Sequence, residues 1–181
     1  MKSTAHLHQD HQFILRALRI LDEMACRVET GEKLRTPDAE RLMVFLRGFA
    51  DRFHQGKEEG VLFPALLQDR AQSHHPELYA AIFQHDRHRS LLDGLEEAIR
   101  TGNSSEFIYF ARRLRQILSE HVEDEEQNLF ELAKSMLSSS QDQTVNADME
   151  SYDLQWQNEN LPAMIQTLVD LETYYIPRSA A

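Results

Sequence analysis

The chain has 181 residues, of which 41% are hydrophobic and 27% are charged. This length and composition fit one globular domain with a real apolar core and exclude a wholly disordered chain. The 30 acidic residues outnumber the 19 Lys and Arg residues, which gives a net charge of −11. Nucleic acid is therefore a poor partner, because most of the surface would repel a polyanion.

No stretch of the sequence is typical of a membrane span or a secretion signal. The longest apolar run, Leu78 to Phe83, is far shorter than the roughly 20 residues needed to cross a bilayer. Residues 1–6 lack the apolar centre of a signal peptide. The single cysteine, Cys26, cannot form a disulfide within the chain, which agrees with a reducing compartment. We expect a cytoplasmic protein with no membrane partner.

Four long segments repeat their apolar residues at steps of three and four, which predicts four amphipathic helices. The first segment ends near Gly31, the second begins at Thr36-Pro37, the third runs from Pro76 to Gly102, and Asn103 or Ser104 caps the fourth. The second segment continues to about Asp69 and the fourth to about Leu137. Long helices with short connections and no strand pattern predict an all-α fold, an antiparallel up-down four-helix bundle.

The C-terminal part of the chain has a different pattern. Residues 138–143 are polar and are predicted to form a linker, and a weaker helical pattern follows from Met149 to Leu171. We therefore divide the chain into a bundle at residues 1–137 and a helical extension at residues 138–181. The extension either packs across the bundle or forms a homodimer contact, and the sequence does not decide between these two.

Ionisable residues occupy the inward-facing register of all four predicted helices, where Leu or Ile is usual. Burying an unpaired imidazole or carboxylate costs several kcal/mol, so such a set is expected only if its members satisfy one another or bind a metal. The six candidate metal ligands are His11 on the first helix, His54 and Glu58 on the second, His85 on the third, and His121 and Glu125 on the fourth.

The spacing of these residues indicates a dinuclear site. His54 and Glu58, like His121 and Glu125, are four residues apart and so lie on one helical face. Imidazoles and carboxylates without a thiolate favour Fe, Mn, Zn or Cu over Ca or Mg. Glu58 and Glu125 can bridge two ions while the four histidines take terminal positions. The sequence leaves open whether four neighbours also join the site: His8, His88, Glu59 and Glu126.

Four motifs resemble the signatures of the hemerythrin-like (HHE cation-binding) domains, in order, over about residues 8–136. They are His8-Gln9-Asp10-His11, residues 49–59 (FADRFHQGKEE) with Leu62-Phe63-Pro64, His85-Asp86-Arg87-His88-Arg89, and residues 121–126 (HVEDEE) with Leu129-Phe130. The resemblance implies a four-helix bundle that holds a non-haem di-iron centre. Functions in that family span oxygen carriage, oxygen or iron sensing, and the handling of nitric oxide or peroxide.

The chain departs from this family at three positions. Many relatives have a second His directly after the one matching His54, and this chain has Gln55. Oxygen carriers have a second His four residues after the one matching His85, where this chain has Arg89, with His88 one position earlier. Their fourth-motif carboxylate lies five residues after the His, which would select Glu126 over Glu125. These departures favour redox or sensing chemistry over reversible oxygen carriage.

The sequence therefore predicts a protein with two Fe ions, or alternatively Zn or Mn, that binds or reacts with a small oxidant. The oxidant would be dioxygen, peroxide or nitric oxide, and the role would be in oxidative or nitrosative stress or in oxygen or iron sensing. A second hypothesis is a metal- or redox-responsive regulatory module without turnover. A third is a structural metal for which zinc would suffice. The sequence leaves open whether the protein is an enzyme.

Overall fold

The computed structural model describes residues 1–67 and 75–176, and within these residues the chain is helical and forms no strand. The α-helices are, in chain order, α1 (Ser3–Glu29), α2 (Thr36–Phe45), α3 (Phe63–Leu67), α4 (Pro76–Thr101), α5 (Ser104–Asp124), α6 (Phe130–Met136), α7 (Ser139–Glu159) and α8 (Leu161–Tyr175). Three π-helical segments, whose hydrogen bonds span one residue more than in an α-helix, lie at Leu46–Gln55, Glu58–Leu62 and Glu125–Leu129. They join α2 to α3 and α5 to α6, so the chain forms two further long rods beside α1 and α4.

Within the described residues, the ends of the rods lie where the sequence predicts them. Gly31 and Gly102 take positive φ angles of 100° and 67° after α1 and α4, a conformation that glycine adopts without strain. The side chain of Asn103 accepts a hydrogen bond from the backbone N–H of Glu106 and so caps α5. The predicted end of the second helix at Asp69 and most of the following break lie outside the described residues. Among the described residues, no helix is both long enough and apolar enough to cross a membrane.

The four rods contact one another in a closed ring: α1 packs against α5, α5 against α4, α4 against α2, and α2 against α1. Two apolar clusters fill the interior. The larger contains Ile14, Phe53, Leu92 and Leu118, one from each rod. The smaller contains Leu7, Leu62, Ala81 and Leu129, again one from each rod. Because the candidate ligands lie between these positions on every rod, they form a polar layer between the two clusters.

The C-terminal helices pack on the molecule's own bundle. Met164, Leu168 and Leu171 of α8 are buried in the larger cluster, and Val145 and Met149 of α7 are buried in the smaller one. The extension thus contacts the bundle of its own chain in this structure, and dimerisation stays a prediction.

Residues 139–143, predicted to form a linker, are helical instead. Ser138 and Gln141 form a reciprocal capping box, which allows α7 to begin within this polar stretch. The prediction of a linker, which rested on the polarity of these residues, was therefore wrong. The Ser138 cap and the packing of α7 determine where the helix begins. The division of the chain into two domains stays a prediction.

Candidate metal centre

The structure brings all six candidate ligands together in the centre of the bundle. They form two overlapping sets, His11–His54–Glu58–Glu125 and Glu58–His85–His121–Glu125, and within each set one ligand atom per residue lies within 4.8 Å of the others. None of the six is more than 2% exposed. Glu58 and Glu125 belong to both sets, which is the arrangement expected if each carboxylate contacts two ions.

The π-helical segments supply part of this geometry. His54 lies in the first segment, Glu58 begins the second, and Glu125 begins the third. A π turn widens the helix and shifts the following side chains around its axis, and such turns occur frequently at functional sites. Here Glu58 Oε2 lies 3.7 Å from His54 Nε2 on its own rod and 3.3 Å from His85 Nε2 on another. Similarly, Glu125 Oε1 lies 3.2 Å from His121 Nε2.

The ligand atoms that face the middle of this layer have no well-directed hydrogen bond. They are the Nε2 atoms of His54, His85 and His121, both carboxylate oxygens of Glu58, and Oε1 of Glu125. Buried polar atoms without partners are costly and rare in folded proteins. A metal ion held by these atoms would satisfy them together, and the imidazole and carboxylate donor set suits iron, manganese or zinc. The residues therefore fit a transition-metal centre.

Each of the four histidines is held from behind by an outer hydrogen bond at Nδ1. His11 Nδ1 donates to Glu126 Oε1 at 3.0 Å, and His85 Nδ1 donates to Glu59 Oε1 at 2.7 Å. A partner at Nδ1 fixes the tautomer and the ring orientation, which leaves the Nε2 lone pair free to bind a metal. Glu59 and Glu126 are thus hydrogen-bond partners of candidate ligands rather than members of either set.

The other two histidines have outer partners that the sequence analysis missed. His121 Nδ1 donates to Gln84 Oε1 at 2.8 Å, and His54 Nδ1 donates to Asp10 Oδ2 at 3.4 Å. Asp10 and Gln84 directly precede His11 and His85, just as Glu59 and Glu126 directly follow Glu58 and Glu125. This sequence adjacency is the signal from which the outer partners could have been found.

The carboxylates and imidazoles shift one another's protonation when no cation is bound. Burial alone would lower the pKa of His11, but hydrogen bonding and the charge of Glu125 raise it to about 9. The same competition raises the pKa of His85 to about 11. By contrast, burial lowers the pKa of His121 to about 3, with the neighbouring imidazoles adding to the shift. Burial and the nearby charge of Glu125 raise the pKa of Glu58. Without a cation, protonated imidazoles balance the buried carboxylates.

His8 and His88, the remaining open candidates, lie outside both sets. The His8 side chain is 59% exposed, and its Nδ1 contacts Glu126 at 2.8 Å. His88 is buried, its ring centroid lies 4.7 Å from that of His121, and the side-chain amide of Gln55 donates to its Nδ1 at 3.0 Å. Gln55, the departure from the family pattern, therefore fixes His88 instead of adding a ligand.

Aromatic rings cover the centre on the side of the smaller apolar cluster. The Phe130 ring stacks on His11 at 5.6 Å between centroids, and the Phe63 ring stacks on His85 at 5.8 Å. A pocket of about 290 Å³ opens beside this cover, and Ala81, Gln84 and Glu125 are among its lining residues. The centre is thus shielded from bulk water and yet has one candidate ligand in the wall of an open pocket.

Comparison with known proteins assigns the family. No curated protein and no solved structure matches the chain significantly. The hemerythrin HHE cation-binding domain matches residues 2–133, most of the chain and all six candidate ligands. The resemblance carried by the four sequence motifs is confirmed, and the chain belongs to the hemerythrin HHE cation-binding domain family.

Proposed function

We propose that this protein is a non-haem di-iron protein that binds or reacts with a small oxidant such as dioxygen, peroxide or nitric oxide. The observation that carries the proposal is the pair of overlapping four-residue sets that share Glu58 and Glu125. Two sets with common carboxylates favour two ions over one. We further propose that the ring of four rods is the antiparallel up-down bundle expected from the sequence. The cytoplasmic location stays a prediction.

The chain's own residues would hold, orient and shield the ions. His11 and His54 would complete one set and His85 and His121 the other, with the Nδ1 hydrogen bonds fixing each ring. Bound iron would supply the electrons and an exchangeable coordination position for the oxidant. The phenylalanine cover keeps bulk water away from the centre.

The pocket beside Glu125 supports a small rather than a large ligand. Its volume of about 290 Å³ is at the lower end of the range of small-molecule sites. The candidate ligands themselves are almost completely buried. A diatomic molecule or peroxide therefore fits this route to the centre better than an organic substrate.

Metal analysis combined with an oxidant titration tests this function. The protein is loaded anaerobically with ferrous iron, metal per chain is measured, and absorption spectra are recorded on adding hydrogen peroxide or nitric oxide. We expect two irons per chain and a stoichiometric spectral change. Zinc-loaded protein is the matched control, since zinc has the same ligands but no redox chemistry. Equal stability with either metal and no response of the iron form would favour the structural-metal hypothesis instead.

A regulatory module without turnover is the second candidate function. One observation favours it: α7, which lies outside the matched residues 2–133, packs against the π-helical segment Glu58–Leu62 and against α1. Both elements carry candidate ligands. If repeated additions of peroxide are not consumed while metal binding alters the protection of α7 from proteolysis, regulation explains the protein better than catalysis.

A further inference from the structure

Lys57 is a fully buried lysine next to the candidate metal centre. Its side chain is 0% exposed, and the Nζ lies 4.1 Å above the centroid of the Phe53 ring. A lysine is almost never buried unless it is paired, because removing the ammonium from water is expensive. Two carboxylates provide the pairing: Asp10 Oδ2 at 2.9 Å and Asp153 Oδ1 at 2.5 Å.

These ion pairs form a chain that ends on a candidate ligand. Asp153 contacts Lys57, Lys57 donates a hydrogen bond to Asp10, and Asp10 Oδ2 also accepts from His54 Nδ1 at 3.4 Å. The other oxygen of Asp153, Oδ2, accepts from His6 Nδ1 at 2.8 Å. These four ion pairs and hydrogen bonds thus connect α7 and α1 to the Nδ1 side of the His54 ring.

Three further contacts hold α7 in this place. The Tyr152 hydroxyl donates to the backbone carbonyl of Arg52 at 3.1 Å, within the π-helical segment that carries His54. Gly56 leaves room for that hydroxyl, because a Cβ there would lie 2.6 Å from it. At the other end of α7, Asp142 accepts hydrogen bonds from the backbone and hydroxyl of Ser3. The position of Asp153 is therefore fixed relative to both elements that the ion-pair chain joins.

We propose that Asp153 and Lys57 are positioning residues of the metal centre, which hold Asp10 in the place where it orients His54. This rests on the proposed metal-binding function and adds a role for the extension. Because a coupling between two sites is reciprocal, docked α7 strengthens metal binding, and bound metal strengthens the docking of α7. The extension thus acts as part of the metal centre, and the docking of α7 on the bundle depends on whether metal is bound.

Cobalt(II) titration of matched variants tests this role. Asp153→Asn removes the negative charge and keeps an oxygen in place, while Glu150→Gln makes the same change at an exposed position of α7. Direct outer partners of metal ligands typically contribute roughly 10–100-fold in affinity. Asp153 is two contacts further away, so we expect Asp153→Asn to weaken cobalt binding about fivefold relative to Glu150→Gln. A difference smaller than about twofold would overturn the proposal.

A double-mutant cycle tests the path through Lys57. In a Lys57→Met background, Asp153→Asn should no longer weaken cobalt binding, because its partner is absent. If Asp153→Asn weakened cobalt binding equally in the Lys57→Met background, Asp153 would act independently of Lys57, and the proposed path through Lys57 would be overturned. Far-ultraviolet circular dichroism of the metal-free variants identifies any that do not fold.

Hydrogen exchange on the unmodified chain gives a test that needs no variant. Backbone amides of α7 should exchange more slowly after cobalt is added, and unchanged exchange there would overturn the link. The outcome also distinguishes failure of this inference from failure of the proposed metal-binding function on which it rests. If the wild-type chain binds no cobalt, the metal centre itself fails, whereas normal binding with unaltered α7 exchange removes only the role of the extension.

Discussion

Adjacent acids Glu125 and Glu126 provide the sharpest test of the site, because the spacing in oxygen carriers selects Glu126 while the structure places Glu125 in both ligand sets. The test compares Glu125→Gln with Glu126→Gln. Both changes replace a carboxylate by an amide of the same shape on the same helical segment. Only the surroundings of the two side chains differ, so any difference between the variants reports on position.

The expected losses in the free energy of unfolding follow from the burial and the contacts of the two side chains. Glu125 is 2% exposed and lies 3.2 Å from the Nε2 atoms of both His11 and His121. Breaking such a buried charge cluster costs about 3–5 kcal/mol in the metal-free protein. The Glu126 side chain is 32% exposed and contacts the outer Nδ1 of His11 and the exposed ring of His8. Its loss should cost no more than about 1 kcal/mol after solvent screening.

Two measurements separate the acids. Urea unfolding in EDTA gives the free energy of unfolding of each metal-free variant, and elemental analysis after iron loading gives metal per chain. We expect Glu125→Gln to lose most of the bound metal and Glu126→Gln to keep it with an affinity reduced roughly tenfold, as for other outer partners. If Glu126→Gln lost the metal and Glu125→Gln retained it, the structural assignment of the bridging acid would be wrong.

Three further predictions concern pH, metal removal and access. In EDTA, stability should fall as pH rises above 6.5 toward about 9–11, because folding raises the pKa of His11 and His85 and the folded state then binds more protons than the unfolded state. The free energy of unfolding should also fall as pH drops below 6.5, because folding lowers the pKa of His88 and His121 and the unfolded state then binds more protons. Urea midpoints that stay constant from pH 5.5 to 8.5 would contradict both expected losses of stability. Chelation should lower the free energy of unfolding by about 2.7 kcal/mol for each ion removed, relative to metal at 100 times its dissociation constant, as measured by urea titration, and no change would contradict metal binding to the folded state. Ala80→Phe, at an exposed position of the pocket beside Glu125, should narrow the pocket and slow azide binding to the oxidised iron form in stopped-flow absorption without changing metal per chain, whereas an unchanged rate would exclude this route.

Much of the fold could be predicted because its signals are local. Apolar periodicity, Gly31, Gly102 and the Asn103 cap each act within a few residues of where they appear. The three π-helical segments could not be predicted this way, since the widened turns are stabilised by contacts across the bundle rather than by local propensity. The start of α7 was missed because Ser138 acts as a cap within a stretch whose composition is typical of a linker.

The candidate ligands were predictable for the opposite reason: they violate a local rule. An imidazole at an apolar register position is visible in sequence, and His11, His54, His85 and His121 all show this conflict. Lys57 shows no such conflict, because a lysine between polar neighbours on a helix is usually solvent-exposed. Its burial depends on Asp153, about a hundred residues later in the chain, and only tertiary structure brings the two together.

The candidate centre has an internal pseudosymmetry, because its two His-x-x-x-Glu elements make equivalent contacts, but the charges of the outer hydrogen-bond partners are not equivalent. Each His-x-x-x-Glu element supplies two ligands, then an outer partner for the lone histidine of another rod, then a phenylalanine that covers that same histidine. Glu59 and Phe63 do this for His85. Glu126 and Phe130 do it for His11. The outer partners of the two remaining histidines differ, because His54 faces the carboxylate of Asp10 while His121 faces the neutral amide of Gln84.

This asymmetry predicts that the two proposed ions bind with different affinities. A carboxylate behind an imidazole raises its basicity and strengthens it as a ligand more than a neutral amide does. The set that contains His54 should therefore fill first, and cobalt titration should show two steps. Asp10→Asn should weaken the tighter step about tenfold and leave the weaker step unchanged. A single step in the wild-type chain, or a loss confined to the weaker step in Asp10→Asn, would show that the charge behind His54 does not set the order of filling.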